Sequence, residues 1–343
     1  MIKAKQLKPG DSVAIVSPSW GGPSQFPHIF KLGLKVLRDM GLKVREFPSA
    51  TKSEEFLSKN PKFRAQDINN AFLDSSIKAI FASIGGDDSI RLLPFLDKKI
   101  ILDNPKILIG YSDTTSLLAY LNQLGLITFH GPSVMAGFSQ LNFFEESFKD
   151  HIQSLLFTNQ TSYEYKAYQK YHEGYLTWVD ETNIGVNPAI INEGWTWLQG
   201  GSICRGKLFG GCFSVLEMMK STPFWPSSHF WKNRILFLET SEMKPSPDQI
   251  KMILRNYGMQ GVFSQISALL IGRPIAYSTS EKHALNRYCL QVVRDEFGCK
   301  NLAIVTNMDF GHTDPQWILP LGVEAEIDCT KQSFKLVESV YSD

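Results

Sequence analysis

The chain has 343 residues, 43% of them hydrophobic and 20% charged, which is enough for two globular domains of roughly 150 residues each. With 35 Lys and Arg against 34 Asp and Glu, the formal charge is +1 and neither sign gathers into a block. That balance lacks the electrostatic footprint of a nucleic-acid or anionic-membrane binder, and it leaves a small molecule as the expected partner.

The first ~135 residues alternate β-like runs with helical patterns, which calls for a parallel sheet covered by helices on both faces. Strands are expected at "SVAIVSPS" (12–19), "KVREFP" (43–48), "AIFASIGG" (79–86), "KILIGYS" (106–112) and "ITFHGPS" (127–133), with helices near 26–40, 61–74, 89–97 and 114–124. The runs are apolar throughout rather than alternating, as in strands buried on both faces. From about Asp150 to Glu193 the period dissolves into a polar, aromatic-rich stretch. A connection this long is functional or disordered, and its tyrosines and tryptophans argue against disorder. It reads as a linker carrying a loop over a site.

Beyond it come strand, glycine turn and helix in "GSICRGKLFGGCFSVLEMMKS". They are followed by a strand at 234–240, a helix at 246–258, a strand at 266–273, a helix at 281–298 and a β-rich tail. The expected division is 1–150, a linker and loop at 151–193, and a second α/β domain at 194–343. No apolar run approaches the ~20 residues that cross a bilayer, and "MIKAKQLKPGDS" lacks a signal peptide's apolar centre, so the expected location is the cytoplasm. Cys204, Cys212, Cys289, Cys299 and Cys329 are scattered, odd in number and without a C-x-x-C pair, which points to neither a zinc site nor a disulfide framework.

Open parallel sheets bind ligands beyond the carboxyl ends of their strands. Four segments end there with chemistry-bearing residues: "SIGGDDS", "IGYSDTT", "FLETSE" and "TNMDFGHTD". In G-Y-S-D-T, Ser112 stands near the spacing of a nucleophile elbow, yet Ser112 or Asp113 would equally cap the helix that follows. The Asp113 amide at that helix start is an oxyanion donor in waiting. A second could come from Gly85–Gly86, where the backbone can approach a substrate closely, or the pair is a plain turn. Of seven histidines, His312 lies between a glycine and turn residues after an apolar strand, as an exposed base or as an ordinary turn residue. Glu239 closes an apolar run and needs a strand end or a partner. Orienting a histidine would satisfy it, as would capping the next turn, where Ser241, Glu242 and Ser246 compete. Neither a phosphate loop with its lysine nor G-x-G-x-x-G is present. His312 with Asp309 and Asp314 is the only grouping with a metal-like look, and no metal or cofactor is expected.

Read in order, "LKPGDSVAIVSPS", "SIGGDDSIRLLPFLD", "PKILIGYSDTTSLL", "FHGPSV", "GKLFGGCFSVL", "ILFLET", "GVFSQISALLIGR" and "GHTDPQWILPLGVEAEID" resemble the serine LD-carboxypeptidase family, including its microcin C immunity branch, over nearly the whole chain. The resemblance implies an α/β fold with a flavodoxin-like N-terminal domain and a swivelling β/α C-terminal domain, the active site at their interface. It implies a Ser112, Glu239, His312 triad, oxyanion donors at the amides of Gly86 and Asp113, no metal and a homodimer. The substrate it implies is either murein tetrapeptide, losing its terminal D-alanine, or an amide joining an aminoacyl or peptidyl group to a nucleotide. The long segment before Trp195 and "TWVDE" (177–181) resemble the immunity branch. That branch carries a further tryptophan for the nucleobase, where this chain reads "TNIGVN". Substrate contacts then fall to Gly85, and base stacking falls to Trp178, Trp195 or Trp197 or is absent. A non-catalytic binding module is the competing class.

Overall fold

The computed structural model describes residues 1–201 and 203–342. The first half supplies β1 (Ser12–Val16), β2 (Lys43–Glu46), β3 (Ile77–Ala82), β4 (Ile107–Gly110) and β5 (Thr128–His130). Then follow β6 (Tyr163–Tyr165), β7 (Lys170–Tyr171), β8 (Ile190–Ile191), β9 (Thr196–Gln199), β10 (Ile203–Cys212), β11 (Arg234–Glu239), β12 (Ala268–Gly272) and β13 (Ala303–Met308). The tail adds β14 (Leu319–Leu321), β15 (Glu324–Asp328) and β16 (Ser333–Leu336).

The first sheet runs β14-β5-β4-β3-β1-β2, with parallel pairing among β1 to β5. All four residues of β4 are buried, and so are all but Ser12 of β1 and all but Lys78 of β3, which is why these strands lack alternation. The second sheet, β6-β16-β15-β10-β11-β12-β13-β9, has a parallel centre of β10 to β13 with antiparallel edges. This is the α/β architecture expected, a parallel N-terminal unit joined to a second β/α unit.

Several elements differ from the expected ones, each for a local reason. The segment near 89–97 is a 3-10 helix, Ser89–Phe95, that ends directly after Pro94, which has no amide hydrogen to donate to a helical ladder. The single helix expected over 281–298 is α-helical from Thr279 to Cys289 and a π-helix from Leu290 to Glu296. Its start, like that of Pro247–Met259, carries a capping box, Ser278 with Glu281 and Ser246 with Gln249. β3 and β4 stop at Ala82 and Gly110, so Gly85–Gly86 lies in a loop and Ser112 opens a short 3-10 helix, Ser112–Thr114, rather than closing a strand.

β14 returns to the first sheet and pairs antiparallel with β5, Leu319 opposite His130. The stretch at 151–193 is tied down at two places. β6 adds to the edge of the second sheet beside β16, and β7 and β8 form a two-stranded ribbon. The Cys212 amide, at the end of β10, donates to Thr115 Oγ1 at 3.1 Å, which fixes the second sheet against the helix that follows Ser112.

Candidate active site

Ser112 is set by the turn that leaves β4. Tyr111 is fully extended, and Ser112 takes φ 57, a left-handed conformation that a residue with a Cβ adopts at a cost of roughly 1–2 kcal/mol. The helix Thr115–Gln123 has no side-chain cap at its start. Asp113 turns the other way: its buried carboxylate accepts from the Ser89 amide at 2.8 Å, and its carbonyl accepts from Ser89 Oγ at 2.6 Å. The capping explanation is therefore not the one this turn uses, and Asp113 instead couples it to the loop after β3.

That loop passes directly beside the serine. A Cβ on Gly85 would lie 2.8 Å from Ser112 Cβ and 2.9 Å from its Oγ, while Gly86 sits at φ +149. Only glycine lets this backbone approach so closely. The loop is held from below. Ser19 Oγ accepts from the Asp87 and Asp88 amides at 3.1 and 3.3 Å, and the buried Arg64 grips Asp88 with two nitrogens at 2.6 and 2.9 Å.

From the second sheet comes Glu239, the last residue of β11 and fully buried. His312, in the loop after β13, places Nδ1 2.7 Å from Glu239 Oε2. The close pass needs Gly311: a Cβ there would lie 2.8 Å from Glu239 Cβ, and its φ of +104 suits glycine. The imidazole lies over Tyr111, ring centres 4.9 Å apart. Its Nε2 is 3.0 Å from Glu242 Oε2, although without the alignment of a hydrogen bond.

Burial opposes the charge on His312, but Glu239 and Glu242 outweigh it and raise its pKa to about 10. The folded protein thus binds a proton that an unfolded chain gives up near pH 6.5. Stability from this group is complete below that pH and is lost as pH rises through about 10. Thermal melting from pH 6 to 10 tests this: the wild-type Tm is expected to fall more steeply than that of His312→Gln, and parallel curves would contradict it.

Ser112, Tyr111, His312, Glu242, Gly85 and Gly86 line one cleft of about 530 Å³. Trp178 also lines it, stacked on Tyr175 at 5.6 Å and 22°. Trp195 and Trp197 do not. Trp195 donates from Nε1 to Asp309 at 2.7 Å, and Trp197 lies in edge strand β9 opposite Val305. Asp309 is itself buried against Arg273 at 2.5 Å, so it is not aligned with His312 as a ligand pair. Among the described residues, no three His, Cys, Asp or Glu side chains gather as metal ligands, and no helix is long and apolar enough to cross a membrane. Sequence reasoning passed over Ser19, Tyr111 and Tyr175, and it read Glu242 only as a cap. Tyr111 had one usable signal, its place immediately before Ser112.

Two family profiles match the chain, the LD-carboxypeptidase N-terminal domain over residues 13–131 and the LD-carboxypeptidase C-terminal domain over residues 205–327. "Putative carboxypeptidase YocD" of Bacillus subtilis is 30% identical, covering 95% of each chain, and the microcin C7 self-immunity protein MccF of Escherichia coli is 28% identical over 99% of this chain and 96% of its own. The structure of MccF in complex with glutamyl sulfamoyl guanosine superposes with a TM-score of 0.87 at 26% identity, covering 100% of both chains. The fold and these matches define a serine-type carboxypeptidase hydrolase. The chain belongs to the LD-carboxypeptidase family.

Proposed function

We propose that the chain hydrolyses the amide of an aminoacyl- or peptidyl-nucleotide through an acyl-enzyme, with Ser112 as nucleophile, His312 as general base and Glu239 as the carboxylate that orients it. The observation carrying this reading is the 2.7 Å contact of His312 Nδ1 with buried Glu239, beside a serine forced into a left-handed turn in the same cleft. In its neutral form, with the Nδ1 proton donated to Glu239, His312 takes the Ser112 proton on Nε2 as Oγ attacks the acyl carbon. In this reading the amides of Gly86 and Asp113 receive the oxyanion as the C–N bond lengthens. His312 then returns the proton to the leaving nitrogen. Water, deprotonated by His312 in turn, attacks the ester and releases the acid and Ser112.

Two features favour a nucleotide leaving group. The stacked Trp178 and Tyr175 offer an aromatic wall for a base. No Lys or Arg is among the described residues lining the cleft, so a terminal D-alanine carboxylate would lack a cationic partner. Incubation with alanyl sulfamoyl adenosine and with murein tetrapeptide separates the two substrates. Release of alanine from the first is expected, and release of D-alanine from the tetrapeptide alone would overturn the nucleotide reading.

A further inference from the structure

The charge of the cleft says which acyl groups it accepts. Glu54, Asp87, Asp88 and Glu242 line it, with no Lys or Arg among the described lining residues. The charge of Asp88 is neutralised by Arg64 and by Arg91 at 2.9 Å. Among the described residues Glu54 has only the Trp20 indole, at 3.3 Å, and Asp87 is exposed with its backbone tied to Ser19. Glu242 stands 3.0 Å from Nε2 of an imidazole whose side chain is only 8% exposed. This atom is buried without an aligned partner, in a residue that lines the same cleft, and it is the one the reaction needs free.

Resting on the hydrolytic reading above, we propose that Glu242 receives the α-ammonium of the substrate's acyl group, and that this contact draws Glu242 off His312, which then gives its Nε2 proton to solvent and as neutral imidazole takes the Ser112 proton. An α-ammonium is two bonds from the scissile carbon, so a substrate placed on Ser112 carries it into the neighbourhood of His312 and Glu242. The ammonium offers three donors where the imidazole offers one. Glu242 is a positioning and specificity residue, and it favours aminoacyl over peptidyl conjugates of the class proposed above. Asp87 and Glu54 extend the preference along the cleft. They favour basic or neutral side chains and repel an acidic one.

The test compares kcat/KM for alanyl, N-acetylalanyl, lysyl and glutamyl sulfamoyl adenosine with wild type, Glu242→Gln and Asp87→Asn. Both substituted side chains are exposed, so the variants are expected to fold. A charge-assisted contact predicts that wild type favours alanyl over N-acetylalanyl by about 10- to 100-fold and lysyl over glutamyl by about 10-fold. Glu242→Gln is expected to collapse the first ratio towards one, and Asp87→Asn to reduce the second. Hydrolysis of N-acetylalanyl as fast as alanyl, an unchanged ratio in Glu242→Gln, or a preference for glutamyl would overturn the proposal while leaving the hydrolytic reading intact. If no conjugate is cleaved, the nucleotide reading falls. Calorimetry of wild type with alanyl and N-acetylalanyl conjugates then decides the ammonium contact, and equal Kd values overturn it.

Discussion

Ser112→Ala is expected to lower kcat for the preferred conjugate by about 10⁴- to 10⁶-fold, with a much smaller change in substrate affinity. The size follows from the role. Without Oγ there is no acyl-enzyme, and what remains is the catalysis the oxyanion donors and bound geometry give to direct attack by water. The substitution also leaves alanine at φ 57, a strain serine already bears, so the fold has no new reason to fail. Stopped-flow or single-turnover assays read the loss, and circular dichroism confirms the fold. Turnover within tenfold of wild type would remove Ser112 from the chemistry.

Glu239→Gln carries the second large effect, a fall in kcat of about 10³- to 10⁴-fold, the size seen when the orienting carboxylate of a serine triad becomes an amide. Glu239 is fully buried, and its only hydrogen bond among the described residues is through Oε2 to His312 Nδ1. A glutamine amide turned toward Nδ1 would donate where the carboxylate accepts. That arrangement stabilises the tautomer with its proton on Nε2, which cannot act as base. The imidazolium also loses its nearest counter-charge, so His312 binds its proton less tightly and the acidic limb of the pH-rate profile moves down. The combination separates the mechanism from simple unfolding: kcat falls, the limb shifts, and the far-UV spectrum is retained. A kcat within tenfold of wild type would exclude the orienting role.

The parts legible in the sequence were those fixed locally. Apolar runs at 13–16, 79–82, 107–110 and 235–238 are strands because burial on both faces leaves no other pattern, and the turn after β4, the end of β11 and the loop after β13 hold Ser112, Glu239 and His312. The order of "SIGGDD", "GYSDTT", "FLET" and "FGHTD" carried the family resemblance. The contact of His312 with Glu242 was not legible, because it joins side chains 70 positions apart in two loops without a period. Tyr175 and Trp178 come from a stretch whose sequence shows aromatics but no register. β14 is three residues with a proline, too short to announce that the tail returns to the first sheet. Trp195 and Trp197 were legible as aromatics but not as β9 and its approach, since edge pairing with β13 is decided by the partner strand.

The central claim is that the acyl group passes through Ser112. Rapid acid quench of wild type with alanyl sulfamoyl adenosine in the pre-steady state, followed by proteolysis and mass spectrometry, reads it directly. The expected result is an alanyl mass increment on the peptide containing Ser112, absent from Ser112→Ala. An increment on another residue, or Ser112→Ala turning over at the wild-type rate, would contradict it.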